Sequence, residues 1–498
     1  MTTLIAKRAL PVTIALKTLP QLVPSSACFR CDVCCRFPDS DSVLRPYFTG
    51  EEIGRAVTHG LEAVAFPDAQ GCQIALVPDA KGEGFHCPAF ESEAGICRLY
   101  EQRPLDCQLY PLALMWNPAH TEVVLGWDMK CPFMGSEPPE SIRHHADRVM
   151  MLLEQPATVE QIVRHPRLVG RAQEDVAVLT PLRALTEEIH VRWGQPPRRL
   201  LWEDLPRLAD ALNRSGLRGT LGAYSAPYHF LWSALLPYWW LDLHGALCLF
   251  VQSPGGWFMP LPPLTDASLE RPLGEAFSLM RRWNGPGAVT RVENIPVELA
   301  PTLAAMGYHL APKDPDYVYS AHALAGLAGD RYKSQRALCN RVERDGGILV
   351  EPYQPQDRLE CRGVLHQWTA QKRAQGSDPY ADFLLEDSAS AHEVAWSHAA
   401  ELNLAGSVIR QQGRVRGYTF GYWLDQRTWC VLLEVADRTI PGLAQYLFRE
   451  TCRNALSEGA EFINTLDDSG LAGLRQSKEA YHPLRRVQNF IGSEATRV

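Results

Sequence analysis

Cys28-Phe-Arg-Cys31-Asp-Val-Cys34-Cys35 places four thiols within eight residues, and Cys87, Cys97, Cys107 and Cys131 follow. Thiolates are soft ligands suited to zinc and iron–sulfur sites. A tetrahedral ion takes four of them, and the adjacent Cys34 and Cys35 would bind one ion only under strain. Eight thiols with one adjacent pair therefore point to two ligand sets, or to one cluster plus a second site. Isolated core cysteines scatter along a chain, and these do not. Nine of the fourteen cysteines precede residue 132 and the other five are dispersed. That distribution is not the framework of a disulfide-stapled secreted protein, and with metal spacing it predicts a reducing, cytoplasmic setting.

The pattern continues as Cys87-Pro88, then Cys97-Arg-Leu-Tyr100-x-x-Arg103-Pro104-x-x-Cys107-x-x-Tyr110-Pro111, and Cys131-Pro132. Over residues 28–136 this resembles the zinc- or iron-chelating CxxCxxCC domain family. The resemblance implies a metal-binding module whose cofactor is zinc or iron, an iron–sulfur cluster included. Its ligands would be Cys28, Cys31, Cys34, Cys35, Cys87, Cys97, Cys107 and Cys131. Cys72 falls outside the pattern and reads as a core or loop cysteine.

A chain of 498 residues suggests about three domains. The net charge of −8 excludes a surface that is basic overall, so any RNA contact needs a local patch. Residues 1–27 carry Lys7, Arg8 and Lys17 and are broken by Pro11, Pro20 and Pro24. They read as an extended arm or edge strand rather than a signal segment. The apolar stretch from Phe230 to Leu264 contains Asp242 and His244 and is cut by proline and glycine, which excludes a membrane span.

Residues 137–199 read as a helical connector, with Thr158-x-x-Gln161 as a capping box and with His144, His145 and His165 as solvated helix residues. Residues 200–320 alternate helix and strand: Trp239–Val251, Trp257–Leu261, a strand near Ala288–Asn294 and Tyr317–Tyr319, with helices at Pro272–Trp283 and Val297–Met306. Residues 321–498 continue with helices at Leu359–Ala374 and His392–Leu402 and paired strands at Gly406–Gln411 and Arg416–Leu424. The continuous apolar run Thr428–Val435 predicts a buried strand. A helix to about Ser457 follows, with apolar residues at i, i+3, i+4 spacing. A strand at Glu461–Leu466, a helix at Leu471–Ala480 and a strand at Arg486–Ile491 complete it. This is an α+β order like that of a GNAT-type acyltransferase. Neither a GxxxxGK[ST] loop nor a GxGxxG fingerprint is present.

Several further pieces coincide. They are Arg291-Val-Glu-Asn294-Ile-Pro296, Asp316-Tyr317-Val-Tyr319, Leu324-x-x-Leu327-x-Gly329-Asp-Arg-Tyr332-Lys-Ser-Gln-Arg336, and Asn464-Thr-Leu-Asp467-Asp468-Ser-Gly470 running to Arg475, Lys478 and Tyr481-His-Pro483. Over about residues 200–498 they resemble the phosphatidylglycerol lysyltransferase C-terminal domain family. The resemblance implies two tandem GNAT-like lobes, 200–320 and 321–498, and transfer of an aminoacyl group from aminoacyl-tRNA to an amine or hydroxyl acceptor. The acceptor could be a small molecule, a lipid or a peptide. This chain shows no multi-span membrane portion, and Gln335 stands where the family more often carries a base.

Acyl transfer needs a nucleophile relieved of its proton and a polarised carbonyl. Glu434, on an apolar strand, is a candidate base with a raised pKa. Asp467 and Asp468 end a strand before a glycine turn, where they could hold a substrate ammonium or cap a helix. Arg475 and Lys478, three apart on a short helix, could hold phosphate or a carboxylate. The expected centre joins Glu434 to Asp467, Asp468, Arg475 and Lys478, with Asn464 and Tyr481 lining the cleft. Asp468 and Arg475 are expected to be replaceable without harm to the fold. Arg331, Lys333 and Arg336, with Arg341 and Arg344, form a basic run that could track an RNA backbone. The position of a GNAT pyrophosphate loop reads Asp437-Arg-Thr-Ile-Pro441-Gly442-Leu-Ala444. A proline there, and no second glycine, disfavours acyl-CoA. The competing reading is a non-catalytic or redox metal or iron–sulfur protein whose GNAT-like lobes bind a partner.

Overall fold

The computed structural model describes residues 19–28, 31, 33–42, 44–79, 84–173, 175–284, 289–374 and 379–494. The arm expected at the N-terminus lies outside the described residues up to residue 18, and Ser25–Cys28 is a short helical turn. The chain divides into two compact units, Met1–Arg198 and Arg199–Val498.

In the first unit, strands β1 (Leu112–Trp116), β2 (Val123–Asp128) and β3 (Val176–Pro181) form an antiparallel sheet with β2 in the centre. Its apolar side chains share one core with helices α2 (Pro139–Leu153), α3 (Pro156–Val163) and α4 (Arg183–Trp193). The residues read as a connector therefore complete a core begun by the cysteine module. The strand β3 escaped the sequence reading because its burial is irregular and it ends in proline. His145 is not solvated, since it lies on the buried face of α2. Helix α1 (Gly50–Thr58) starts at a capping box formed by Thr49 and Glu52. Glu52 is buried, and its second oxygen accepts from Leu105 N at 2.8 Å. That bond holds the turn Leu105–Leu109, which carries Cys107.

In the second unit, helices α5 (Leu205–Arg214) and α6 (Ala226–Trp232) precede β4 (Tyr238–Leu243), β5 (Ala246–Ser253) and β6 (Gly256–Phe258), which form an antiparallel meander. The single strand expected over Trp239–Val251 is a hairpin, because His244 and Gly245 both adopt positive φ. Next come β7 (Arg291–Pro296), β8 (Tyr308–Ser320), β9 (Ile348–Pro352), β10 (Ala405–Gln411), β11 (Arg414–Trp423), β12 (Thr428–Ala436), β13 (Phe462–Asn464) and β14 (Arg485–Glu494). They make one eight-stranded sheet in the order β7-β14-β8-β13-β12-β11-β10-β9. Met259, just after β6, bridges to Val292 of β7 in parallel.

The final strand β14 is inserted between β7 and β8. It comes from the segment read as the second lobe, yet on both sides it pairs with strands of the segment read as the first, within one shared sheet. Helix α7 (Glu270–Asn284) covers β4, β5 and β6, and α11 (Leu443–Ser457) covers β11 and β12. Helix α8 (Lys333–Asp345) packs against α11. Gly442 precedes α11 with φ 93°, and a Cβ there would lie 2.6 Å from the Leu338 carbonyl oxygen. Only glycine allows the two helices that approach. Helix α9 (Arg358–Arg373) matches expectation, whereas α10 (Pro379–His398) begins well before His392. No helix among the described residues is long and apolar enough to cross a membrane.

Candidate functional site

The strands β12 and β13 are the one parallel pair of the large sheet, and they share only three register positions, Thr428↔Phe462, Trp429↔Ile463 and Cys430↔Asn464. Beyond these β12 runs on to Ala436, while the chain leaves β13 in a loop where Leu466 and Ser469 adopt φ 60° and 50°. Such conformations cost free energy unless their surroundings impose them. Asn464 holds Leu466, its Oδ1 accepting from Leu466 N at 2.7 Å while its Nδ2 donates to Asp316 Oδ2 at 2.9 Å, and Asp467 Oδ1 accepts from Ser469 N at 3.0 Å. Gly222 N also donates to Asp316 Oδ2, at 2.7 Å, and a Cβ on Gly222 would fall 2.2 Å from Leu466 Cδ2.

Two β-bulges flank β14, the β7 one opposite Phe490–Gly492 and the β8 one opposite Val487–Asn489. The β7 ladder shifts between Val292 and Ile295, and the β8 ladder shifts between Lys313 and Asp316. Bulges re-aim side chains, and these turn Asn294 and Lys313 toward the loop after β13. Lys313 Nζ donates to Asn294 Oδ1 at 3.0 Å and to Asp467 Oδ2 at 2.8 Å. Asn489, between them on β14, is 1% exposed. Its Nδ2 donates to the Asp314 carbonyl, and its Oδ1 has no hydrogen-bond partner.

The charges around Lys313 favour a cation. Burial pushes the Asp316 carboxyl up despite its two donors. Burial, the largest influence, would lower the Lys313 ammonium, but Asp467 together with Glu293 and Asp316 holds the group above its ordinary value. The Tyr228 phenol is pushed far up by burial, then by the charges of Asp467, Asp316 and Glu293. One ammonium therefore sits among three carboxylates. Lys313, Asn489 and Tyr228 were not singled out in the sequence, and Asp316 entered only as part of the piece Asp316-Tyr317-Val-Tyr319. The available signal was the polar run Lys313-Asp-Pro-Asp316 inside an otherwise apolar strand.

The remaining expected residues fall into separate groups. Asp468 is fully buried and accepts from Tyr317 Oη at 2.7 Å, from Arg475 Nε and Nη2 at 2.9 and 3.1 Å, and from Gly470 N at 3.1 Å. The expectation that Asp468 could be removed without harm to the fold is therefore corrected, since four donors depend on it. Arg475 Nη2 also reaches Asp314 at 2.7 Å. Lys478, on α12 (Ala472–Glu479), directs its ammonium at the carbonyls of Thr465, Leu466 and Asp467. Its three hydrogens thus hold the loop.

Glu434 sits on β12, and its charge bears on Cys452 of α11 and on Tyr481. Its Oε2 is shut off from solvent without a partner, and burial pushes the carboxyl up to about 8. Tyr481 packs edge-on against Phe448, with ring centroids 4.8 Å apart. Arg336 Nη1 is tied to the carbonyls of Leu327 and Gly329, whereas Arg331, Lys333, Arg341 and Arg344 are exposed. Gln335 is buried and donates to the Ala480 carbonyl at 2.8 Å.

In the first unit the eight cysteines come from five stretches of chain. Cys31 N donates to the Cys28 carbonyl, and Cys87 N to the Cys35 carbonyl. Cys97 pairs with Phe90 across a short ladder. Burial, then Cys34, pushes the Cys28 thiol up, while Arg103 and a hydrogen bond with Tyr100 oppose the shift. Burial pushes Cys87 up to about 12 and Cys97 up as well. The Arg103 guanidinium stacks 3.8 Å from the Tyr100 ring centroid. Among the described residues no three Cys, His, Asp or Glu side chains form a closed metal-holding group. The donor set nevertheless fits zinc or iron by its chemistry: soft sulfur ligands, mutually coupled, beside one compensating cation.

The second unit is a mixed α/β fold built on one eight-stranded sheet and a smaller meander, and the unit before it in the chain is cysteine-rich. A conserved protein of unknown function from Bacteroides thetaiotaomicron aligns over 60% of this chain and 99% of its own, with TM-score 0.51 and 17% identity. L-PGS from Bacillus licheniformis aligns over 59% and 92%, with TM-score 0.42 and 18% identity. A tandem GNAT protein from the clavulanic acid biosynthesis pathway aligns over 60% and 98%, with TM-score 0.36 and 12% identity. No curated protein sequence matches the chain. Residues 220–491, more than half of the chain, match the phosphatidylglycerol lysyltransferase C-terminal model, and the chain belongs to that family. Residues 27–137 match the CxxCxxCC zinc- or iron-chelating domain model.

Proposed function

We propose that the second unit is an aminoacyltransferase that takes its donor from aminoacyl-tRNA and passes the aminoacyl group to an amine or hydroxyl acceptor. One observation carries this reading: Lys313, Asn294 and Asp467 meet beside the loop where β12 and β13 part. An aminoacyl ester brings an α-ammonium, and the surplus of carboxylates from Asp316, Asp467 and Glu293 suits it. The acceptor nitrogen or oxygen attacks the ester carbonyl, the bond to the ribose oxygen breaks, and that oxygen leaves with the acceptor's proton. Lys313, held charged by Asp467, is the donor available to the carbonyl oxygen as negative charge develops. Asp468, Arg475 and Lys478 shape the loop that presents Asp467.

A second observation supports tRNA over acyl-CoA. Asp437, 4% exposed, precedes α11, and its Oδ1 accepts from Thr439 N at 2.9 Å. An amide that could face a pyrophosphate is already engaged, and a carboxylate stands where phosphates would lie. The exposed Arg331, Lys333, Arg341 and Arg344 supply a local basic face on a chain of negative net charge.

The test is transfer of a labelled aminoacyl group from charged tRNA to small-amine, lipid and peptide acceptors, with acyl-CoA as the competing donor. Transfer from acyl-CoA alone, or the absence of transfer from any charged tRNA, would overturn the proposal. Zinc or iron, when bound to the first unit, would supply structural cross-links or electron transfer there. The aminoacyl step is assigned to residues of the second unit.

A further inference from the structure

Asn489 is a buried polar group that the aminoacyl step has so far left idle. It is 1% exposed, and its Nδ2 donates to the Asp314 carbonyl at 3.1 Å. A carbonyl partner can only face the nitrogen of the amide. The other end is then the oxygen, and no donor reaches it. Buried acceptors are nearly always paired, so a lone unpaired one calls for a reason.

Its place on the sheet supplies one. Asn489 stands in register with Lys313 on β8 and with Pro296 on β7. Residues directly opposite on antiparallel strands share a face, with Cβ atoms about 4.5–5.5 Å apart. The strand β14 lies between β7 and β8, which are therefore about 10 Å apart. Lys313 nevertheless reaches Asn294 on β7, so its side chain passes over β14 on the face that Asn489 occupies.

An ammonium has three hydrogens. Two of those on Lys313 go to Asn294 Oδ1 at 3.0 Å and to Asp467 Oδ2 at 2.8 Å. The Lys313 and Asp467 side chains are 19% and 21% exposed, so a ligand can reach this pair from outside while Asn489 lies beneath it. A donor that arrives with its own α-ammonium competes with Lys313 for the Asp467 carboxylate. A Lys313 displaced from that carboxylate is costly to keep in the site unless another acceptor stands within reach.

We propose, on the aminoacyl-transfer reading of this site, that Asn489 is a positioning residue. Its Oδ1 is the second seat of the Lys313 ammonium, taken when the donor's α-ammonium occupies Asp467. In the donor complex the three hydrogens of Lys313 go to Asn294 Oδ1, Asn489 Oδ1 and the ester carbonyl oxygen. Two neutral amides then aim the ammonium at the oxygen on which negative charge develops. The proton stays on Lys313 throughout the move.

The test is single-turnover transfer from charged tRNA by the full chain, in wild type, Asn489→Leu and Asn489→Asp, each with a melting curve to confirm the fold. Both variants lose the donor to the Asp314 carbonyl, and only Asn489→Asp keeps an acceptor oxygen. Asn489→Leu is expected to slow transfer about 10-fold, the worth of one hydrogen bond to a charged group. Asn489→Asp is expected to stay near the wild-type rate. Equal losses in both variants would mean that Asn489 only braces the Asp314 carbonyl, and would overturn the proposal; so would a wild-type rate in Asn489→Leu. A crystal structure of the wild type with the amide analogue of an aminoacyl-adenosine, a donor that cannot transfer, reads the move without any substitution. Lys313 Nζ bonded to Asn489 Oδ1 is expected there, and Lys313 still on Asp467 with Asn489 Oδ1 unpaired overturns it. A wild type that transfers from no charged tRNA would sink the aminoacyl-transfer reading itself, and so separates that failure from failure of the second seat.

Discussion

Lys313 Nζ lies 2.8 Å from Asp467 Oδ2 and 3.0 Å from Asn294 Oδ1, so one ammonium ties the loop after β13 to the bulge of β7. Those two segments are far apart in sequence, and the inserted strand β14 brings them together. The pair is the centre of the proposed chemistry, and the first expectation concerns it.

Lys313→Ala and Asp467→Asn should each lower kcat/KM for aminoacyl transfer by about 10²-fold, the usual loss for one electrostatic group. Combining them should cost little more, because the two act as a unit. Steady-state kinetics on the three variants, with a melting curve to confirm the fold, checks this. Wild-type rates in Lys313→Ala would remove it from the site.

Asp468→Ala should destabilise the second unit. It orphans the buried Tyr317 hydroxyl, at a cost of about 1–3 kcal/mol. Burial alone would raise the Asp468 carboxyl, but Arg475 and Tyr317 hold it below its usual range. Its contribution is therefore present above the unfolded pKa and lost as pH falls through the lower folded value. Denaturant titrations below pH 4 should show that loss in the wild type and not in Asp468→Ala.

Glu434 gives the opposite slope. Its folded pKa of about 8 exceeds the ordinary 4.5. The folded chain therefore holds a proton that the unfolded chain releases between those values, and stability falls as pH rises from about 4.5 to 8. Glu434→Gln should flatten that part of the profile. An unchanged slope in the variant would show that the carboxylate is solvated after all.

Stripping metal with a chelator under reducing conditions should unfold the cysteine-bearing part of the first unit and leave the second intact, since metal binding is folding energy in such modules. Calorimetry should show one transition shifting down and another unmoved. Two transitions that move together would indicate that the units do not melt independently.

Reversing Lys333 and Arg341 to Glu should weaken tRNA binding uniformly and reduce its salt dependence, as expected for lost phosphate contacts. Binding measured across a salt series decides this. An unchanged slope would leave that face of α8 simply solvated.

The thiol motif, the apolar run of β12, the amphipathic α11 and the Asp467-Asp468-Ser-Gly470 turn were all legible in the chain. Each is a local pattern, set by ligand spacing, by hydrophobic period or by turn chemistry within a dozen residues. The hairpin at His244-Gly245 and the long β8 were not, because positive φ at a histidine and polar residues inside a strand run against local preference. Lys478 and Arg475 were recognised as charges, but their spacing could not show that they are bound to loop carbonyls and buried carboxylates.

By itself the sequence determined the cysteine module, the α/β character of residues 200–498 and their family. These follow from residue type and short-range period. Tertiary structure alone decided that β14 crosses back between β7 and β8, that a bulge of each flanks it, and that Lys313 meets Asp467. It also set Glu434 beside Tyr481 and Cys452. The reason is physical: strand pairing over long separations depends on which edges remain open and which cores remain uncovered. Those are properties of the assembled sheet, and no window of the chain contains them.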